Sequence, residues 1–225
     1  MSDDRWENFA REDAEYYVLT DIGRGADDDA LQEFFATGEG EAARIMTRCD
    51  AHLGEHNLAI EIGCGVGRVA VPMSKRFKRI VGVDVAPTML AKLRDNAERA
   101  GAAVETKLVH EAWDEPDRAD LVYSVLVFQH IPSLDTIASY LHRTARSLKL
   151  RGVGYLQFDT RPRTVPYRLR NTLPDAVLPG QWRRGLRRIR RDSEVVRRLL
   201  RDAGLAIVDE ATPDSDAHVF VVRRA

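Results

Sequence analysis

With 225 residues, 44% of them hydrophobic, the chain is long enough to bury a core of its own and reads as one domain, 1–225. Its two cysteines, Cys49 and Cys64, have no pairing or metal-ligand spacing, the N-terminal "MSDDRWENFA" has no apolar signal core, and no apolar stretch approaches membrane-spanning length. Disulfide scaffolds, zinc modules and membrane spans are excluded on that reading, and the expectation is a cytoplasmic protein without a membrane partner. The net charge of −1 hides a polarity, since residues 1–60 carry 15 Asp/Glu against 5 Arg and residues 161–201 carry 13 Arg against 3 Asp/Glu. Such a basic segment either complements the acidic part as a solvated helix face or seeks phosphate groups.

Residues 1–57 read as a helical cap, with pieces between Trp6 and Asp50 that carry Trp6, Phe9, Tyr16, Tyr17, Phe34 and Phe35. Regular alternation starts near Leu58, where "LAIEIG" suits a buried strand. Gly67 to Phe77 suits a helix despite Pro72, and "RIVGVD" suits a second strand. Pro87 sits where a first helical residue belongs, Met89, Leu90, Leu93 and Ala97 mark one face, and Gly101 is placed to end that helix. A third strand is expected over Val104 to Val109 and a fourth over "ADLVYSVLVF". A helix follows from Ser133 to Leu148, and a fifth strand over "GVGYLQFD". Ser193 is placed to cap a last helix with Val195, Val196, Leu199 and Leu200 on its apolar face and Gly204 as its stop. The strands "LAIVDE" and "HVFVVR" then pair as an antiparallel hairpin.

This order predicts an α/β fold: a doubly wound, Rossmann-like, mostly parallel sheet of about seven strands, its last strand antiparallel, with helices on both faces. Residues 58–159 form a cofactor-binding half and residues 192–225 the last helix and hairpin. Between them, residues 160–191 are a Pro- and Arg-rich insertion. Ligands of open α/β sheets bind at the carboxyl ends of the strands, so this insertion and the helical cap are placed to cover a substrate there, with Tyr16 and Tyr17 as candidate contacts.

"AIEIGCGVGR", residues 59–68, carries the functional signal. A dinucleotide fingerprint needs glycines at its first, third and sixth positions. Here they are Gly63, Gly65 and Gly67, and Arg68 takes the sixth place. No Lys-Ser or Lys-Thr follows, which excludes a P-loop. Glu61 just before the turn would repel a pyrophosphate and suits a ligand with an ammonium and a sulfonium. S-adenosylmethionine (SAM) is such a ligand.

At these residues the chain resembles the class I SAM-dependent methyltransferases, of the bacterial small-molecule type, from about Leu58 to Arg223. "EIGCGVGR" looks like the family's first motif, and Asp84 in "VGVDVAPTML" looks like its ribose-binding acid. The resemblance implies cofactor contacts from Glu61, Gly63, Cys64, Gly65, Gly67, Asp84, Val85 and Met89. It places Glu111, Ala112 and Trp113 of "HEAWDEP" beside the adenine, with Glu111 where Asp is commoner, and Ser124 in the fourth-strand motif "DLVYSVLVFQHIP". SAM is then the cofactor and S-adenosylhomocysteine (SAH) its product.

Each position has a plainer reading beside this one. Asp84 can cap the helix that begins at "APTML", Cys64 and Met89 can be core, Trp113 can pack without meeting adenine, and Arg68 reads as a solvated or sheet-edge side chain. For catalysis, His130 in "FQHIP" lies past the fourth strand with a side chain that titrates near neutrality, which suits a general base. Asp159, ending the fifth strand, is expected to orient His130 or to bind the acceptor. The expected activity is methyl transfer to a hydroxyl or amine of a small molecule. Two alternatives stay open: an RNA or tRNA methyltransferase that grips phosphates with the arginines, Tyr167 and Trp182, and a SAM-binding regulator without turnover.

Overall fold

The run Leu58–Ile62 (β1) is apolar except for Glu61, and all five residues are buried, as a central parallel strand covered on both faces requires. The computed structural model describes residues 3–19, 25, 27–173, 177 and 188–225. In it β1 joins β2 (Arg79–Asp84), β3 (Val104–Leu108), β4 (Ala119–Ser124), β5 (Leu148–Phe158), β6 (Leu205–Ala211) and β7 (His218–Arg224) in one sheet of order β3-β2-β1-β4-β5-β7-β6. β7 alone runs against the others, antiparallel to both β5 and β6. The doubly wound sheet read from the sequence is thus the observed one. Strand order reverses between β1 and β4, so a crevice opens at the carboxyl ends of these two neighbours.

Seven helices are described: α1 (Asp3–Val18), α2 (Asp28–Cys49), α3 (Ala70–Met73), α4 (Pro87–Arg99), α5 (Leu134–Ser147), α6 (Val165–Thr172) and α7 (Ser193–Asp202). One face of the sheet packs Ile45, Met73, Leu93 and Tyr123 together with α2 and α4. The other packs Phe128, Ile137, Leu141, Leu200 and Phe220 with α5 and α7. Each such fully buried aliphatic or aromatic side chain contributes roughly 1.5–3 kcal/mol. A third cluster joins Ala10, Ala14 and Phe34 to Val66, Ala86 and Met89, so the helical cap packs directly onto the carboxyl edge of the sheet.

Several local expectations shift. Only Ala70–Met73 of the helix expected over Gly67–Phe77 is regular, because Gly67 has φ +89° and Pro72 supplies no amide hydrogen. The fourth strand ends at Ser124 and not at Phe128: Leu126 has φ +62°, its N–H goes to the Gln157 side chain at 3.1 Å, and Phe128–His130 forms a 3-10 turn. β5 begins earlier than expected, at Leu148. The cap of α7 is Asp192, which accepts from Glu194 N, while Ser193 bonds to Asp214. Pro87 and Gly101 sit as expected, at the first turn of α4 and just past its end with φ +64°. The insertion contains α6, and Trp182 lies outside the described residues.

Candidate functional site

The turn after β1 uses left-handed backbone at all three glycines, Gly63 (φ +72°), Gly65 (φ +51°) and Gly67 (φ +89°), a region that side chains disfavour. Space excludes a side chain as well, since a Cβ on Gly63 would lie 2.3 Å from Val127 and one on Gly65 2.9 Å from Val18. The turn is tied to β2: Gly63 N and Cys64 N donate to Val83 O, and Gly65 N donates to Asp84 Oδ2 at 2.9 Å. Asp84 Oδ1 accepts from Ala86 N at 3.0 Å, and α4 is capped without an Asp84 contact of the N-cap kind. Burial raises the Asp84 pKa, while those backbone amides pull the other way. The Cys64 thiol packs against Gly82 and is pushed far up by burial, so it is a packing group.

Glu61 is buried beneath the turn, and the Tyr123 hydroxyl donates to its Oε2 at 3.1 Å. Burial pushes its pKa up to about 8, against the opposing effects of the Tyr123 bond and the charge of Arg68. Arg68, expected as a solvated or sheet-edge side chain, is instead only 6% exposed, and its Nη1 donates to Thr37 Oγ1 at 3.2 Å. The reason is tertiary: α2 crosses Arg68 so closely that a Cβ on Gly38 would lie 1.8 Å from the Arg68 carbonyl oxygen. A glycine inside the helical pattern "ATGEGE" was the one sequence signal of this crossing.

On the side expected for adenine, Met89 is buried under α1, while Glu111 and Ala112 are exposed after β3. Glu111 Oε2 accepts from Leu108 N at 2.5 Å. Trp113 is buried, its Nε1 lacking a hydrogen-bond partner among the described residues, stacked near Tyr140 and beneath Arg143, whose guanidinium carbon is 4.0 Å from the ring centroid. Val85 is half-buried beside Asp84. Ser124 Oγ donates to Ile62 O at 3.1 Å and so holds β4 to β1 where the crevice opens.

The cap is fastened by Glu7 of α1, which accepts from Thr88 N at 3.0 Å and Thr88 Oγ1 at 2.6 Å and thereby supplies the side-chain cap that Ala86, at the N-cap of α4, does not. α1 is kinked at Asp13, whose carboxylate accepts from Tyr16 N and Gly25 N. Beyond the kink, Tyr17 stacks on Phe9 at 4.1 Å and donates to Glu12, with Tyr16 edge-on to it. His130 sits in the 3-10 turn after β4, its ring edge-on to Trp6 at 5.5 Å. Asp159, expected to orient His130 or to bind the acceptor, is fully buried. Its carboxylate is gripped by Arg161, with Nη2 at 2.6 Å and Nε at 3.0 Å, and also accepts from the Arg161 backbone N–H at 3.2 Å. A cavity of about 540 Å³ opens between α2 and the carboxyl ends of the strands, lined by Thr37, Arg68, Leu126, Gln157 and Arg188 among others.

A doubly wound sheet with a glycine turn after β1 and an acid closing β2 is the arrangement that the resemblance to class I SAM-dependent methyltransferases implies. Residues 59–152, under half of the chain, match the model of the methyltransferase-domain family. The chain is 27% identical over 95 residues to a ubiquinone biosynthesis O-methyltransferase of Rhodopseudomonas palustris, which covers 42% of this chain and 36% of that one. A ubiquinone biosynthesis O-methyltransferase of Azorhizobium caulinodans is 30% identical over 112 residues, covering 42% of this chain and 44% of its own. The matches thus span less than half the length of these relatives. In fold, the chain is similar to magnesium protoporphyrin IX methyltransferase of Synechocystis, solved with bound SAM, with a TM-score of 0.65 at 14% identity, over 100% of this chain and 98% of that one.

Proposed function

We propose that the protein binds SAM and transfers its methyl group to a hydroxyl or amine of a small molecule. The observation that carries this reading is the placement of two acids, the buried Glu61 and the half-buried Asp84, on either side of a turn whose left-handed positions are all glycine. The residues fit the cofactor. Glu61 holds its proton to about pH 8 and gains a partner when a ligand ammonium arrives, and Asp84 keeps lone pairs beyond its two backbone bonds for a pair of ribose hydroxyls. Bound SAM supplies an electrophilic methyl on a sulfonium, a good leaving group, so positioning and desolvation by the protein carry much of the catalysis.

In this reading Val85, Met89 and the Glu111–Trp113 segment flank the nucleoside, and the backbone around Gly63, Cys64, Gly65 and Gly67 faces the amino-acid end. Ser124 fixes the β1–β4 seam, and α1 with Tyr16 and Tyr17 closes over the site. His130 takes the acceptor proton as general base, held by Trp6. Asp159 sets Arg161 at the start of the insertion. The buried, unpaired cysteines Cys49 and Cys64 agree with the cytoplasmic setting read from the sequence. Among the described residues no helix is long and apolar enough to cross a membrane.

Four arginines of the insertion among the described residues favour a small molecule over RNA, whereas Arg183, Arg184 and Arg187 lie outside those residues. Arg161 binds Asp159, Arg188 binds Asp216, Arg190 binds Pro162 O and lies over Tyr167, and Arg191 binds the carbonyls of Ile131 and Pro132. Tyr167 is itself buried, which removes it as a base-stacking platform. Titration calorimetry with SAH and NAD side by side tests the cofactor. A radiolabelled methyl-transfer screen over small hydroxyl and amine compounds, tRNA and protein extracts tests the acceptor. Tight NAD binding without a response to SAH would sink the reading, and a steep fall of activity with salt on tRNA would move the acceptor to nucleic acid.

A further inference from the structure

Arg68 is the one arginine lining the cavity that forms no ion pair among the described residues, although the carboxylates of Glu61 and Glu41 act on it through space. The other charges there pair off: Arg44 with Glu41 at 2.5 Å and Arg188 with Asp216 at 3.0 Å, while Glu33 lies exposed on α2. Arg68 is 6% exposed and, among the described residues, makes a single hydrogen bond, to the neutral Thr37 hydroxyl, and buries its Nε without a partner. Guanidinium groups carry five N–H donors in a planar fork that matches a carboxylate, and a desolvated one without an anion is strongly unfavourable. Gly38 and Thr37 hold this fork in place from α2, because the helix backbone sits against the Arg68 carbonyl.

We propose that Arg68 is a carboxylate receptor: it binds a ligand carboxylate within the cavity between α2 and the strand ends. This rests on the methyltransferase reading for the identity of the ligand, which leaves two sources of the same chemistry. One is the amino-acid end of the cofactor, whose ammonium would meet Glu61 while its carboxylate meets Arg68. The other is an acid group on the methyl acceptor, for which the cavity has room.

The test compares wild type with Arg68→Gln and Arg68→Lys in two arms. In the first, calorimetry measures SAH against its decarboxylated analogue. In the second, methyl transfer is measured over a panel of hydroxyl compounds supplied as pairs, each free carboxylate beside its methyl ester. A cofactor source predicts that Arg68→Gln weakens SAH by about 10- to 100-fold and leaves the decarboxylated analogue unchanged, with Arg68→Lys between. An acceptor source predicts unchanged SAH affinity and loss, in Arg68→Gln, of a preference for the acid over its ester.

Equal SAH affinity in all three proteins, with no acid preferred over its ester by wild type, overturns the proposal. Thermal melts of the empty proteins guard against misfolding: a receptor predicts that Arg68→Gln melts no lower than wild type, whereas a structural role predicts a clear drop. If wild type binds no SAH at all, the methyltransferase reading fails by itself. Melts with benzoate against benzyl alcohol then decide the receptor, which predicts a rise with benzoate in wild type and none in Arg68→Gln, and is overturned by equal melts.

Discussion

Gly65 donates its backbone N–H to Asp84 Oδ2 at 2.9 Å, so the acid that closes β2 also holds the glycine turn that follows β1. The same carboxylate is proposed to take the ribose hydroxyls. Replacing Asp84 by Ala removes both, and is expected to weaken SAH binding by about 1.5–3 kcal/mol, the scale for hydrogen bonds to a charged group. Calorimetry reads that loss, and a denaturant melt should show a smaller loss of stability from the freed turn. Unchanged SAH affinity would remove Asp84 from the cofactor site.

Glu61 predicts a pH dependence with a definite sign. Its folded-state pKa of about 8 lies above the ordinary glutamate value of 4.5, so the folded protein holds a proton there that the unfolded chain has released. This contribution to stability is fully present below the unfolded pKa and is lost as pH rises from about 4.5 to about 8, by on the order of a few kcal/mol at most. Glu61→Gln should flatten that part of the stability profile. A ligand ammonium needs the carboxylate, so SAH binding at pH 7 should release close to one proton, measured in buffers of different ionisation heat. No proton release would separate Glu61 from the ligand.

The contact of Glu7 with Thr88 predicts how the cap behaves. It fastens α1 to the start of α4 through two hydrogen bonds to a carboxylate whose pKa they hold down against the cost of burial. Glu7→Ala should speed tryptic cleavage within α1 about tenfold or more while the sheet stays folded, and SAH should slow cleavage in wild type. Equal rates with and without SAH would count against α1 as a cover.

Two glycines of α2, two residues apart, should respond oppositely to alanine. Gly38 has the Arg68 carbonyl 1.8 Å from where its Cβ would be, whereas nothing lies within 4 Å of a Cβ on Gly40. Gly38→Ala should destabilise by about 1–3 kcal/mol through overpacking. Gly40→Ala should stabilise by about 0.5–1 kcal/mol through helix propensity. Chemical denaturation of both variants checks the pair, and a neutral Gly38→Ala would contradict the close crossing that positions Arg68.

Where the sequence was legible, the reason is local. "LAIEIG" and "RIVGVD" are continuous apolar runs bounded by glycine or an acid, and a buried parallel strand needs little else. Pro87 and Gly101 bracket α4 through their own backbone preferences. Asp84 and the three glycines lie at strand ends, where chain direction alone sends them to one edge. The strand end at Ser124 was not legible, because it depends on the Gln157 side chain of a neighbouring strand taking the Leu126 amide.

The amino-acid sequence by itself determined the parallel sheet, the order of its helices, and the acids and glycines at its carboxyl edge, all of which follow from periodicity and backbone preference within a few residues. Only the tertiary structure decided what these groups meet. Arg68 became a buried cation because α2, thirty residues earlier, passes over it at Gly38. Asp159 is gripped by Arg161, and α4 is capped by Glu7 from α1, 81 residues away in sequence. Pairings across such distances depend on how layers pack, and burial then sets the charge state of each group, neither of which a local pattern encodes.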